Sequence, residues 1–388
     1  MGLGRDVLQV VGAGPAGLAA AITLARAGRR VVVHEAHREV GHRFGADLQG
    51  LENWSTKGDV LAELQAAGIT TAFEKLACSR GTAFDAWGRR HELRSAKPLF
   101  YLVERGPRRG SLDSALLEQA LALGVEVRFG SRKTSIEGPG VLAVGPKAAD
   151  AIAVGYHFET GMPDGFWLIL DEQVAPQGYG YLLVMRGRGT VKSCMFTGFK
   201  QERVYVERTV DRFRRLLELE MRDPRRHGGA GNFRLPATAV SGGRPIAGEQ
   251  AGFQDAFAGF GMRYAIFSGV LSAHALLGAV QYDSAWRSAI KPTIETSIVN
   301  RALYTLIGNR GYRWLLRSQA WSGDTRRFLR WLYGPAVVRK ALLPWAQRRY
   351  RSMREDKSCD HVDCTCVWCR CSDADPTGAM PAASEGLQ

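Results

Sequence analysis

The chain lacks an apolar run suited to crossing a bilayer. Phe267 to Val280 holds no Lys, Arg, Asp or Glu, but it falls short of the ~20 residues a span needs and is studded with Gly, Ser and His. It lacks a disulfide framework. Only Cys78 and Cys194 lie in the body, and the odd total of 7 is made up by five packed between Cys359 and Cys371. It lacks a repeat, and its 45 glycines follow no fixed period, which excludes a collagen-like chain. The first apolar stretch, residues 6–28, imitates a secretion leader without its basic flank or cleavage site, so a cytosolic compartment is expected. What is present is ordinary for a globular protein: 45% hydrophobic and 23% charged residues over 388 positions, room for two or three domains.

Acid is scarce in one place. Lys+Arg total 52 against 38 Asp+Glu, a net charge of +14. From Arg310 to Arg354 there are twelve basic residues, and Asp324 is the sole acid, so that segment alone carries +11. An anionic partner is implied. Trp314, Trp321, Trp331 and Trp345, with Tyr312, Tyr333 and Tyr350, alternate with the arginines. Helices with Trp and Leu on one side and Arg on the other suit a phospholipid interface. The alternative is a helical cap with solvated arginines. No nucleic-acid module accompanies the charge, so nucleic acid is not expected.

Chemistry is written at the start of the chain. Val7–Val11 reads as a buried strand, and Gly12-Ala13-Gly14-Pro15-Ala16-Gly17 follows it. Leu18 to Arg26 has helical spacing, Gly28 ends it, and Arg30 to Glu35 is a second strand of the parallel type. In such a unit Gly12 allows the tight turn, Gly14 lets the backbone approach a pyrophosphate, and Gly17 lets helix and strand pack. The helix start offers N–H groups and a positive dipole end to phosphate. Glu35 closes the second strand, where an acid binds ribose hydroxyls and disfavours a 2′-phosphate. The alternative is a glycine turn without a ligand.

Further along, residues 59–68 and the stretch from Ser111 to Leu123 read as helices, with Ser111 as N-cap. Thr82–Trp87, Arg90–Leu93, Leu99–Val103, Val125–Phe129, 141–144 and 151–158 read as strands. Residues 165–199 suit antiparallel strands, and 202–221 an amphipathic helix. Pro224 to Gly243 reads as a linker, Ala251 to Ala279 as a glycine turn feeding an apolar helix, and everything from 283 to Arg354 as helical.

The residues Gly12 to Ala21 resemble the opening of FAD-dependent oxidoreductases of the p-hydroxybenzoate-hydroxylase-like clan. Arg43 sits where that clan often places an arginine over the pyrophosphate. A second block, Gly248-Glu249-Gln250-Ala251-Gly252-Phe253 with Gly259-Phe260-Gly261-Met262 and Ser268-Gly269, resembles the clan's turn against ribitol, pyrophosphate and isoalloxazine. Here Glu249 replaces the usual Asp, the usual Pro is absent, and the hydroxylase Asp-Gly and halogenase Trp motifs are missing. Tyr179-Gly180-Tyr181-Leu182-Leu183 is similar to a degenerate form of the aromatic motif in the lipid cavity of geranylgeranyl reductases. An ordinary strand with core aromatics explains it equally. The resemblance spans roughly residues 5–300.

The resemblance implies an α/β fold: a Rossmann-like FAD-binding domain (GR2 type) with an inserted mixed/antiparallel β-sheet substrate domain and a C-terminal helical region. The expected divisions are 1–150 (with a short insertion at 55–100) and 236–285 for the FAD domain, 151–235 for the sheet, 286–356 for basic helices, and 357–388 for a Cys-rich tail. The implied cofactor is FAD, held by Gly12, Gly14, Pro15, Ala16, Gly17, Glu35, Arg43, Glu249, Gly252, Gly259, Gly261 and Met262. Tyr179 and Tyr181 would wall the cavity. Cys359, His361, Cys364, Cys366, Cys369 and Cys371 are soft ligands fit for zinc, although the spacing C-x4-C-x-C-x2-C-x-C matches no standard finger. A redox-active thiol tail and an iron–sulfur cluster are the alternatives. Three functions are open: reduction of a C=C bond in an isoprenoid or lipid-like substrate with NAD(P)H or another reductant, at the inner face of the membrane; oxygenation of a hydrophobic metabolite; and a flavin-binding scaffold without catalysis. No catalytic side chain is assigned, and His274, in the apolar helix, reads as a core residue.

Overall fold

The computed structural model describes residues 7–351, apart from 147, 148 and 234. The cysteine cluster and the zinc expected there lie outside the described residues.

The chain begins with β1 (Leu8–Val11), α1 (Pro15–Arg26) and β2 (Val31–His34), followed by β3 (Leu48–Glu52), α2 (Val60–Ala66), β4 (Lys75–Cys78), β5 (Arg80–Asp85), β6 (Arg90–Arg94) and β7 (Phe100–Glu104). Next come α3 (Leu112–Ala122), β8 (Glu126–Arg128), β9 (Gly140–Leu142), β10 (Ala151–Glu159), β11 (Gly165–Leu170), β12 (Tyr179–Met185), β13 (Arg188–Met195) and α4 (Glu202–Leu217). The last part holds β14 (Arg222–Gly231), the short pair β15 (Val240–Ser241) and β16 (Arg244–Pro245), and α5 (Met262–Leu276). Four further helices close it: α6 (Tyr282–Ala289), α7 (Lys291–Trp321), α8 (Thr325–Tyr333) and α9 (Val337–Arg351).

The first sheet is parallel, in the order β8-β2-β1-β9. Both its faces are covered, which is why β1 and β2, but for Gln9 and His34, are apolar without alternation. Leu18, Ile22 and Leu24 of α1, Leu112 and Leu116 of α3, and Ile266 and Val270 of α5 share one core with Val10, Val33 and Val141. Ser111 caps α3, accepting from the Ser114 N–H at 3.1 Å.

The second sheet has seven strands, β14-β10-β13-β12-β11-β5-β6. Its outer face packs on α4 through Val154, Leu182, Val191, Val206, Val210 and Phe213. Its inner face carries Tyr179, Tyr181, Lys192 and Cys194, paired in register as Tyr179↔Cys194 and Tyr181↔Lys192. A three-stranded sheet, β3-β7-β4, joins the two bodies. Leu51 and Val103 belong to the first core, while Leu48 and Leu102 belong to a separate core with Leu183 and Met185 of β12 and Tyr312 of α7.

One sequence expectation is corrected. Pro224 to Gly243 is not a linker throughout, because Arg222–Gly231 is strand β14, paired antiparallel with β10. It is an edge strand, where a proline costs no ladder bond on its solvent side and where glycine and arginine conceal any strand pattern. β4 was likewise not anticipated: Lys75–Cys78 is too short to show alternation. Strands β11, β12 and β13 pair antiparallel, as expected for 165–199, while β11 pairs parallel to β5, so the sheet is mixed.

Candidate dinucleotide site

The two glycine turns meet through the packing of α1 against α5. A Cβ on Gly269 of α5 would lie 2.1 Å from the Ala16 carbonyl oxygen, and one on Gly248 would lie 2.9 Å from the Ala16 Cβ. Only glycine allows this approach, and it brings the start of α1 beside the second turn. Gly12 has φ +97, and a Cβ there would stand 2.2 Å from the Ala143 oxygen. At Gly17 the corresponding distance, to the Gly12 oxygen, is 1.9 Å. Gly14 is different: nothing lies within 4 Å of where its Cβ would be. Space is therefore left over Gly14, the glycine whose backbone the sequence pattern expects to face a pyrophosphate.

Both helix starts are bare. α1 has Gly14 as N-cap and Pro15 in its first turn, α5 has Gly261 as N-cap, and neither receives a side-chain cap. Their N–H groups are open to an anion. Met262, the first residue of α5, is buried. Gly252 and Gly259 both hold positive φ and shape the turn ahead of it.

Glu35 accepts from the Ala13 N–H at 2.8 Å and the His37 N–H at 3.0 Å, bracing the first glycine loop. A carboxylate offers about four acceptor positions, so two hydrogen bonds do not saturate it. Arg43 reaches across to the second turn, its Nη2 donating to Glu249 Oε2 at 2.9 Å over a separation of 206 residues. Glu249 Oε1 accepts the Asn232 N–H at 3.0 Å. Gln254 donates to the Gly259 carbonyl at 2.8 Å, while its Oε1 is buried with no hydrogen-bond partner. A donor on a bound group would satisfy it.

The second turn is held from behind by the C-terminal helices. Asp255 accepts from the Tyr333 hydroxyl at 2.6 Å and from the N–H groups of Phe257 and Ala258, both at 2.9 Å. Burial pushes its carboxyl up to about 6 against those hydrogen bonds. Arg301, 1% exposed, donates to the carbonyls of Ala256, Gln177 and Phe257. The Tyr179 hydroxyl donates to the carbonyl of Ala258, tying the aromatic wall to the same turn. The rings of Tyr179 and Tyr181 lie 5.9 Å apart.

Sequence reasoning missed Arg105, whose Nε and Nη2 grip the buried Asp113 at 2.8 and 2.9 Å, and it missed Asp255, Arg301 and a cluster around Lys192. For Lys192 a signal existed: a lysine in a stretch read as antiparallel strand, two residues from Cys194 and so on the same face. For Asp255 and Arg301 none did, because Arg301 meets backbone carbonyls and Asp255 meets backbone N–H groups and a tyrosine 78 residues away. Two surface hollows, of about 460 and 350 Å³, lie elsewhere, against Arg26, Gln65 and Gly68, and beside α4 at Asp171, Arg208 and Arg212. The second is on the side of the sheet away from the tyrosine wall, and neither includes a residue of the glycine turns.

Residues 10–49 match the family of the NAD(P)-binding Rossmann-like domain. No curated protein sequence matches the chain. Among solved structures it is similar to a geranylgeranyl bacteriochlorophyll reductase-like protein from Thermoplasma acidophilum, with TM-score 0.67 and 18% identity over 90% of this chain and 98% of that one. It is also similar to the flavin-dependent brominase Bmp2, with TM-score 0.65 and 14% identity over 89% and 99%. A third likeness is to 2-methyl-3-hydroxypyridine-5-carboxylic acid oxygenase, with TM-score 0.54 and 16% identity over 77% and 92%. The chain thus carries a Rossmann-like nucleotide-binding domain within the fold shared by FAD-dependent oxidoreductases.

Proposed function

We propose that the protein is an FAD-dependent oxidoreductase that reduces a C=C bond of an isoprenoid or lipid-like substrate at an anionic membrane surface. The observation that carries the flavin reading is the meeting of two distant turns. Gly14 faces open space, the starts of α1 and α5 are uncapped, Arg43 spans to Glu249, and Gln254 holds an unpartnered acceptor. These residues fit a dinucleotide. The N–H groups of α1 and Arg43 would hold the pyrophosphate, Glu35 the ribose, and Glu249 with Gln254 the ribitol side. The bound flavin would supply hydride chemistry, with the protein providing position and polarity.

The aromatic wall of Tyr179 and Tyr181 on the inner sheet face supports a hydrophobic substrate. Exposed apolar groups on the last helices support a membrane surface. Trp314, Trp321 and Trp331 are 61%, 76% and 65% exposed, and Val337 and Val338 are also outward. Arg310, Arg317, Arg327, Lys340 and Arg348 are exposed among them. Each basic residue at an anionic bilayer adds about 1 kcal/mol. Some of the sequence's basic–aromatic pattern turns inward instead. Arg326 is buried on the carbonyls of Asn53, Thr56 and Gly58, Arg313 pairs with Asp85, and Tyr312 and Tyr333 are buried. Among the described residues no helix is long and apolar enough to cross a membrane.

The test is a visible spectrum of the purified protein with added FAD, then anaerobic turnover with a prenyl diphosphate. Protein-bound flavin and saturation of a prenyl double bond without O₂ are expected. Turnover that consumes O₂ and incorporates it would replace this reading with the oxygenase one.

A further inference from the structure

Three ionisable side chains on the inward face of the seven-stranded sheet gather with Asp47, which precedes β3, outside the glycine turns. Lys192 on β13 is 1% exposed. Its Nζ donates to Asp47 Oδ1 at 2.7 Å and to His227 Nδ1, on β14, at 2.9 Å. His157 on β10 donates from Nε2 to the same Asp47 oxygen at 3.0 Å. The two imidazoles stack with centroids 4.3 Å apart. His227 Nε2 donates to the Arg43 carbonyl at 3.0 Å, the backbone of the arginine that spans the two turns. The network assigns the tautomer of His227: Nδ1 faces an ammonium and must accept, so the proton sits on Nε2.

The ligand atoms of Asp47, His157 and His227 lie within 4.8 Å of one another, an arrangement that suits a metal ion. Lys192 is hydrogen-bonded within that group and supplies the positive charge instead. A buried ion pair alone would need only the carboxylate. Here two half-buried imidazoles are added, both touching the pair, and this makes a continuous hydrogen-bonded cluster. Lysine has three N–H donors; Asp47 and His227 engage two, leaving a third. In register Lys192 stands opposite Tyr181, on the face that also carries Tyr179 and Cys194.

We propose that Lys192 is the proton donor on the sheet face that carries Tyr179 and Tyr181, resupplied from solvent on the side of His157 and held in place by Asp47 and His227. The proposal rests on the flavin-reductase reading. With a hydride from a reduced flavin delivered to one alkene carbon, the electron pair of the π bond takes the proton of Lys192 Nζ at the other. The alkene gains H⁻ and H⁺, and Lys192 is left as a neutral amine. A proton from water, reaching the cluster on the side of the partly exposed His157, restores the ammonium at Nζ, and Asp47, anionic throughout, favours its return. Burial draws the Lys192 ammonium below the usual lysine range, with Asp47 and Cys194 opposing it, which eases release of the proton. Burial first, then Lys192, pushes His227 down to about 4, so it is a neutral acceptor at pH 7. Asp47, held well below the usual carboxylate range chiefly by Lys192 and His157 against its burial, stays anionic. The groups facing Lys192 are Asp47, His157 and His227, with Cys194 and Tyr181 beside them.

The test compares wild type, Lys192→Met, Lys192→Arg and His157→Asn, each reconstituted with FAD. The first readout is the absorption spectrum of bound, oxidised FAD from pH 6 to 10. Wild type should show a protonation-linked band shift that Lys192→Met lacks, with FAD affinity within about threefold. The second is a single anaerobic turnover of the reduced protein with geranylgeranyl diphosphate. Lys192→Met and Lys192→Arg should lose roughly 100-fold or more, as general-acid variants do. His157→Asn should keep the first turnover and slow the following ones. A Lys192→Met protein whose FAD titrates like wild type, or whose single turnover matches it, overturns the proposal while leaving the flavin reading intact. Wild type that takes up no FAD overturns both.

Discussion

At the scale of single residues, two glycines of one loop separate two kinds of constraint. Gly12 is needed by the fold, because its φ is +97 and a Cβ would collide with the Ala143 oxygen at 2.2 Å. Gly14 has φ −77, which any residue adopts, and an unobstructed Cβ position. Gly14→Ala should therefore leave the melting temperature nearly unchanged yet weaken FAD binding at least roughly tenfold, since the methyl would occupy the space left for phosphate. Gly12→Ala should lose on the order of 1–3 kcal/mol of stability as well. Thermal melts beside FAD fluorescence titrations distinguish the two, and equal loss of stability in both would sink the argument. Both glycines were legible in the sequence, because a strand–turn–helix unit reads locally. The pairing of Arg43 with Glu249 was not, because the residues are 206 positions apart and neither has a neighbour that announces the other.

At the scale of elements, α7 and α8 hold the second glycine turn. Arg301 on α7 satisfies three buried carbonyls, at Ala256, Phe257 and Gln177. Stranding a buried acceptor costs about 1–3 kcal/mol each. Arg301→Ala should destabilise by several kcal/mol in urea unfolding, and folded protein should release FAD faster, because residues 255–261 lose their anchor. Arg301→Ala with unchanged FAD release would show that the turn holds itself. The same helices carry the exposed tryptophans. Trp314, Trp321 and Trp331, all replaced by Gln, should leave the melt unchanged and abolish sedimentation with phosphatidylserine vesicles. Retained sedimentation would remove the membrane surface from the proposal. Replacing arginines wholesale is a poorer test, since Arg313 and Arg326 are structural. The sequence pattern showed basic and aromatic residues interleaved. Which side chains point in depends on what each helix packs against. β14 was hidden for a related reason: an edge strand made of Arg, Gly and Pro shows no alternation, and its pairing with β10 creates the element.

At the scale of the whole molecule, two buried groups oppose each other in mild acid. Asp255 has a folded pKa of about 6, above its ordinary 3.8. It contributes stability that is full below 3.8 and lost as pH rises through about 6, about 3 kcal/mol in all. His227 has a folded value of about 4, below its ordinary 6.5. Its contribution is full above 6.5 and lost as pH falls toward about 4, again about 3 kcal/mol. In the wild type the two slopes offset. Asp255→Asn should therefore lose stability on acidification from pH 6.5 to 4, and His227→Gln should gain it. Melting temperatures across that range, read against wild type, check both signs; parallel curves would refute them.

The sequence by itself determined the nucleotide-binding half: a buried strand, a glycine loop, a helix and an acid-tipped strand are contiguous, and their chemistry follows from local backbone geometry. It also marked the second glycine block and the tyrosine strand. Only the tertiary structure decided what surrounds them: that Arg43 meets Glu249, that α7 and α8 brace the turn at 255–261, and that Lys192 lies among Asp47, His157 and His227. Those contacts join a loop, sheet strands and late helices. They exist because folding removes such polar groups from water and obliges each to find a partner, a requirement that leaves little trace along the linear chain.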